Sequence, residues 1–449
     1  MRYRLFKQQM FMYFVHKGGI SQAAMLCGSV LIPKKIPLEQ LQDAANKVFE
    51  TNDILRERFI EKDGLVYQES FPFERKEFEV LHFNSKEELD RYGEIYGTIP
   101  LELEIVSEGN GIPASAWKRG KPSFAMITNM IIHNIKMFFT KLSLGKLNDS
   151  PKCCEMILLD LPNASGALFK MHHIISDGWS MILLTNQFLK FLAGEKVDSF
   201  SYFDAIENGK KYRESKRFER DLEYGRKDLA KCSEPTSIWP KKATSMEAVR
   251  DTLVLNEELT TKIKKFAGEN DLTPYIIFLT SLCIWIKKKK QRDMFYVGAT
   301  ALNRNNYEEL NTVGYFATVP PLLVELDNSC TYMDALNYMK IKSMAVTRHR
   351  LGLSESNTNT SLMFDLMISY QNATLEADRD AIVTQYYCKF VGEKQIITME
   401  DRLNDNHYKI HFDHNIKISK SEVKELFTGF EKILSKGLEN SNTKINELF

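Results

Sequence analysis

The sequence carries almost no excess of charge. Lysine plus arginine number 60 and aspartate plus glutamate 59, for a net charge of +1 over 449 residues. Such a balance gives no long-range attraction to nucleic acid or to an acidic membrane, so neither is expected as a partner. The seven cysteines are scattered, apart from the adjacent Cys153-Cys154, and show no Cys-x-x-Cys spacing. That excludes a disulfide scaffold and points to free thiols in a reducing compartment. Met1-Arg2-Tyr3-Arg4 leads into no apolar stretch ending in small residues, as a secretory leader would. The most membrane-like segment, 124–139, is interrupted by Asn129, His133, Asn134 and Lys136 and is too short and polar to span a bilayer. Repeats, low-complexity tracts and a Gly-x-Ser-x-Gly nucleophile elbow are also lacking. The expectation is a soluble, cytoplasmic, monomeric protein.

What is present is an ordinary globular composition, with 43% hydrophobic and 27% charged residues, in a chain long enough for two lobes. Strand and helix patterns mix, which predicts an α/β (α+β) fold. Gly28 to Pro33 reads as a strand, followed by a helix with Leu38, Leu41, Ala45 and Val48 on one face. Residues 155–161 and 167–171 read as two strands joined by the turn at Pro162 to Gly166. A helix follows Gly178, with Met181, Leu184, Phe188 and Leu192 at steps of three and four and Gly194 at its end. The charged stretch 208–231 reads as one exposed helix and 234–242 as a linker. The expected boundary gives an N-terminal lobe over 1–208 and a C-terminal lobe over 209–449. In the latter, 249–255 and 294–300 read as strands, 273–287 as a helix ending in the solvated cations Lys287 to Lys290, and 421–438 as an amphipathic helix.

The chemistry gathers in Met171-His172-His173-Ile174-Ile175-Ser176-Asp177-Gly178-Trp179-Ser180. A strand delivers two adjacent histidines, and adjacent strand side chains point to opposite faces. One can therefore face a cavity while the other packs inward. A neutral imidazole beside a cavity is a natural general base near neutral pH. Asp177 can fix the loop or pair with a cation, and Gly178 leaves the backbone open to close approach. A structural role for either histidine competes with this reading. A metal site of His172, His173 and Asp177 is weak, because adjacent strand histidines diverge and no further ligand cluster is evident.

The run His172 to Ser180 resembles the active-site motif of condensation domains of nonribosomal peptide synthetases, and further matches follow in that family's order. Asn52 to Phe59 resembles the early motif, with Thr51-Asn52 where the family usually has Arg-His. Ser201-Tyr202-Phe203-Asp204-Ala205 resembles the motif after the active-site helix. Val297 to Arg304 is similar to Gly-Thr-Pro-Val-Ala-Asn-Arg, with Ala299-Thr300-Ala301 in place of Thr-Pro-Val. Val313-Gly314-Tyr315-Phe316-Ala317-Thr318 and Phe364 to Asn372 match the later motifs. The opening Leu5 to Met10 is a poor version of the family's Ser-x-Ala-Gln start. The interval 104–154 is unusually long, and Met126, Met130, Ile131, Ile135 and Phe138 suggest an extra amphipathic helix there.

The resemblance implies two chloramphenicol-acetyltransferase-like lobes in a V-shaped pseudo-dimer, with the active site in a tunnel between them. His173 would be catalytic, accepting a proton from the attacking amine or orienting it, with His172 supporting loop geometry. Asp177 would pair with Arg304 from the second lobe as a structural clamp, and Gly178, Trp179, Ser369 and Gln371 would line the tunnel. No cofactor and no metal would be bound; substrates would arrive on phosphopantetheine arms of carrier proteins or on coenzyme A. Partners would be a downstream aminoacyl carrier domain, an adenylation domain and an acyl donor.

The position of Met1, a few residues before the first motif, and the Gly-Trp-Ser continuation imply a starter domain that N-acylates the first amino acid of a lipopeptide with a fatty acyl group. An elongation domain taking an L-peptidyl donor is the alternative. An epimerization domain, an ester-forming relative and an inactive, partner-recruiting domain are the remaining rivals. Epimerization domains usually lack the Gly-Trp-Ser continuation, and inactive domains typically lose the second histidine or the glycine.

Overall fold

Mostly apolar runs at 25–32, 154–161 and 164–172 build a sheet, the last of them ending at the histidines, and the rest of the fold positions those strands. A computed structural model describes residues 2–18, 21–108, 152–239, 247–356, 363–372, 380–390, 394–401 and 407–449. The chain divides into two compact units. The first holds 1–210 with 304–316 and 374–390; the second holds 211–303, 317–373 and 391–449. The fold class is mixed α/β, with three sheets among the described residues.

The first unit centres on a five-stranded sheet in the order Ile382–Tyr386, Met25–Ile32, Ala164–His172, Cys154–Leu161, Val80–His82. All neighbours are antiparallel except the last pair. The strand Ala164–His172 is buried along almost its whole length, because both sheet faces are covered. Ala167, Phe169 and Met171 join the apolar cluster formed with the helices Leu38–Thr51 and Gly178–Leu192. Leu168, on the alternate face, joins Leu89 and Tyr96 of the helix Lys86–Tyr96, as period-two geometry requires. A second sheet of the same unit has the order Tyr3–Arg4, Leu65–Ser70, Glu57–Lys62, Ile105–Glu108. The helix suggested for 126–138 lies outside the described residues.

The second unit carries a six-stranded sheet in the order Pro321–Glu325, Met294–Ala299, Leu366–Gln371, Gln395–Glu400, Lys409–Asn415, Ala248–Val254. Its core is built on the helix Pro274–Lys290, against which the helices Tyr332–Arg348 and Lys420–Glu439 bury their apolar faces. Three expectations change here. Lys287 is not solvated: it is buried and ion-paired with Asp293, while Lys289 pairs with Glu425. The stretch 208–231 is not one helix but parts of two, Tyr202–Arg213 and Lys216–Leu229, because Ser215 caps the second by accepting from the Phe218 amide. Of the expected linker, Ile238 and Trp239 are buried in the core, held where the Asp365 carboxylate accepts from both of their amides.

Candidate active site

The end of a strand separates the two histidines: His172 closes it and His173 opens the turn that follows. His172, the last strand residue, is fully buried; its amide donates to the Cys153 carbonyl and its Nδ1 accepts from the Ile174 amide at 3.0 Å. Burial holds its pKa well below the usual imidazole range, with His16 and His173 adding to the effect. The ring is therefore neutral, and with Nδ1 accepting, its proton sits on Nε2. His16 stands edge-on to it, ring centroids 5.4 Å apart, and is itself held neutral by burial, its pKa lowered to about 4. His172 thus fixes the backbone beneath its neighbour.

His173, in the turn, keeps partial exposure. Its amide donates to the Ala24 carbonyl at 2.6 Å, which pins the Cα. Burial lowers its pKa and the Asp177 carboxylate pulls it partly back, so the ring is neutral at physiological pH and free to accept a proton. Gln9, fully buried, donates to the Ile174 carbonyl at 3.1 Å and exchanges amide hydrogen bonds with Gln68, so the loop is held from the far side as well.

Asp177 is an N-cap: its carboxylate accepts from the Ser180 amide and hydroxyl, both at 2.9 Å, starting the helix Gly178–Leu192. It also accepts from Arg304 at 2.8 and 3.3 Å and from the Phe316 amide at 3.1 Å. Burial alone would raise its pKa, but Arg304 holds the carboxyl below the usual range. Arg304 further donates to the carbonyls of Thr312 and Gly314 and lies 4.2 Å over the Phe316 ring. The segment 304–316, expected in the second lobe, belongs by its contacts to the first unit. The pair is therefore internal to that unit. A Cβ on Gly314 would come within 2.1 Å of the Tyr202 ring, so only glycine lets this segment lie so close.

The structure thus brings His172, His173, Asp177, Gly178, Trp179 and Arg304 together in the first unit. Gly178 is exposed at the helix start, and the Trp179 indole donates to the Leu310 carbonyl at 2.8 Å. Ser369 and Gln371 lie partly buried on the strand Leu366–Gln371 of the second unit. Among the described residues no three His, Cys, Asp or Glu side chains converge as metal ligands, and no helix is long and apolar enough to cross a membrane.

Three neighbours of the histidines were not singled out from sequence. His16 and Gln9 reach them from the first helix, Lys7–Lys17. Tyr315 meets the His173 ring with centroids 4.7 Å apart. Tyr315 carried a signal, since it lies inside the matched run Val313 to Thr318, and Gln9 a weaker one, inside the poorly matching run Leu5 to Met10.

Comparison with known proteins agrees with this geometry. The model of the condensation-domain family matches residues 147–449. Among curated proteins, a plipastatin synthase subunit of Bacillus subtilis (strain 168) is 24% identical over 328 residues, 68% of this chain and 13% of that protein. Surfactin synthase subunit 1 of the same strain is 24% identical over 298 residues, 62% of this chain and 8% of that protein. The chain therefore spans only a small part of the length of these relatives. Among solved structures, the condensation domain of the monacolin K polyketide synthase MokA superposes with a TM-score of 0.78 at 12% identity, covering 99% of both chains. The starter condensation domain of rhizomide synthetase, in complex with C8-CoA, gives 0.74 at 14% identity over 100% of this chain and 97% of that one. At such identities the likeness is one of fold. With the family model covering two thirds of the sequence, the chain belongs to the condensation-domain family.

Proposed function

We propose that this chain joins an acyl thioester to the amine of an aminoacyl thioester, with His173 as the catalytic residue. The observation that carries the reading is the neutral, partly exposed His173 on a rigid frame, in a chain matched to the condensation family over 147–449. The amine nitrogen attacks the acyl carbonyl carbon, the C–N bond forms and the C–S bond breaks. His173 takes the proton the amine must lose, or holds the amine in line by hydrogen bonding, and that proton leaves with the thiol. Help of this kind is worth about 10²- to 10⁴-fold, and positioning adds to it. His172 and the Asp177–Arg304 pair act on geometry. Gly178, exposed at the helix start, presents no side chain to a passing pantetheine arm.

The finer reading is a starter domain that takes a fatty acyl group from coenzyme A or an acyl carrier protein and places it on the first amino acid, borne by a downstream carrier domain loaded by an adenylation domain. The Asp177-Gly178-Trp179-Ser180 continuation supports it, as does the shared fold with a starter domain solved with C8-CoA. The continuation also suits an elongation domain with an L-configured donor. A cytoplasmic setting, where such thioesters are made, and a set of free cysteines are consistent with both.

The test offers acyl-coenzyme A and acyl- or aminoacyl-carrier donors with an aminoacyl carrier acceptor, read by mass spectrometry. Fatty acyl amide is the expected product. Product from aminoacyl donors alone would replace the starter reading by the elongation one. The absence of any amide product, with carrier protein still bound, would replace catalysis by recruitment.

A further inference from the structure

We propose that Tyr315 is a positioning residue for His173: its ring packs edge-on against the imidazole, fixes its plane and keeps water off one side of it. The proposal rests on the catalytic reading of His173 and adds a residue to it. Tyr315 is 9% exposed and its ring stands at 65° to that of His173, centroids 4.7 Å apart, an edge-to-face contact of the favourable kind.

The contact is not incidental, because the backbone on either side of Tyr315 is bolted to the histidine loop. Before it, the Gly314 amide donates to the Ser180 hydroxyl and the Gly314 carbonyl accepts from it, at 3.0 and 2.7 Å. After it, the Phe316 amide donates to Asp177. Its own carbonyl accepts from the Tyr202 hydroxyl at 3.0 Å, and the close approach of Tyr202 is what requires glycine at 314. Asp177 and Ser180 lie four and seven residues after His173 in the same turn. The bonds that fix the tyrosine and those that fix the histidine therefore share atoms, so the two rings move as one body.

The imidazole needs such a support. His173 Nδ1 is buried without a hydrogen-bond partner; the ring's polar contacts are with the backbone of its own residue and of Ser176, and the Tyr315 ring adds packing to them. The charged and titratable groups around it are Asp177 on its own loop, with Arg304 behind it, His172 on the strand, with His16 behind it, and Tyr315 itself. Burial, which Tyr315 helps to provide, opposes the charged imidazole; Asp177 favours it, with the backbone of His173 and of Ser176 adding to the effect. Burial also keeps the phenol protonated, with the Asp177 charge adding to the effect, so Tyr315 supplies a ring and no charge.

The experiment follows the His173 imidazole directly by NMR titration of the folded chain, with its signal assigned by its loss in His173→Ala, alongside kinetics with carrier-bound substrates. Tyr315→Phe keeps the ring and is expected to leave both the titration and turnover near those of the parent. Tyr315→Leu keeps bulk without the aromatic edge, and Tyr315→Ala opens the face. Both are expected to raise the His173 midpoint toward the ordinary value of 6.5 and to lower kcat about ten- to a hundredfold with KM little changed. An unmoved midpoint in Tyr315→Leu, or a Tyr315→Phe variant as impaired as Tyr315→Ala, would overturn the proposal. Because the titration needs no turnover, it stands or falls separately from the assigned reaction.

Discussion

In the first unit, Asp177 and Arg304 lie buried among hydrogen bonds to Ser180, Thr312, Gly314 and Phe316. In the second unit, the helix Pro274–Lys290 buries Ile277, Phe278, Leu282 and Ile284 among apolar side chains from the sheet and further helices. Both regions exclude water, but they differ in what can be exchanged. An apolar core is held by many weak contacts, and volume-conserving substitutions are tolerated. In the polar cluster the carboxylate oxygens of Asp177 and the terminal nitrogens of Arg304 have named partners, and removing one strands another in a medium that cannot solvate it. The cluster is therefore the part of the fold that specifies geometry to a fraction of an ångström, and it sits next to His173.

The largest effect that would test this contrast is on stability. Asp177→Ala leaves Arg304 buried without its counter-ion and is expected to cost about 3–5 kcal/mol. Leu282→Ala in the second unit is expected to cost about 2–5 kcal/mol by leaving a cavity. The pH dependence tells them apart. The folded-state pKa of Asp177 lies below its ordinary value of 3.8. Its contribution is thus present above that value and lost as the pH falls through the depressed folded pKa. Melting curves should show the deficit of Asp177→Ala closing in strong acid and that of Leu282→Ala persisting. Parallel deficits at every pH would erase the distinction between the regions.

Next comes activity without stability. The polar contacts of the His173 ring are with the backbone of its own residue and of Ser176, so His173→Ala should melt close to the parent and lose at least about a hundredfold in amide formation. Gln9→Ala should do the reverse. It unbonds Gln68 and the Ile174 carbonyl inside the protein, at a cost of about 1–3 kcal/mol, with turnover reduced by less than in His173→Ala. If Gln9→Ala proved the slower enzyme, the loop and not the imidazole would carry the chemistry.

How much of this could be read from sequence follows from the range of the interactions. The N-cap at Asp177 is set within three residues and was legible; of the strand expected to carry both histidines, only His172 is part, and His173 lies in the turn. Arg304 was reachable only through the family resemblance, because nothing local tells an arginine which carboxylate lies 127 positions away. Its place in the first unit was not legible even so: the segment 304–316 leaves its sequence neighbours to bond with Ser180 and Asp177, and a linear boundary cannot express that. His16 and Gln9 were missed for a related reason. Their helix opens with a poor match to the family, and burial of a polar residue shows in a sequence only when its partner is already known. The solvated reading of Lys287 failed because Asp293, six residues on and past the helix end, folds back to meet it.

The smallest effect tests a polar group that breaks the pattern of named partners. Glu57 is 5% exposed, and both of its carboxyl oxygens are buried without a hydrogen-bond partner among the described residues. Burial pushes its pKa well above the ordinary 4.5, and the nearby Asp53 adds to the effect; Tyr202 and Cys153 are its other titratable neighbours, and neither brings a positive charge. The group is consistent with a neutral acid. A carboxyl whose folded pKa is raised contributes its full stability below the unfolded value and loses it as the pH climbs toward the folded one. Glu57→Gln keeps the shape and cannot ionise, so it should escape that loss. The two proteins should melt nearly together at pH 4.5, and the variant should gain by about 2 °C as the pH is raised. Paired melting curves across this range decide the matter. A gap of constant size would mean that Glu57 does not change its protonation there.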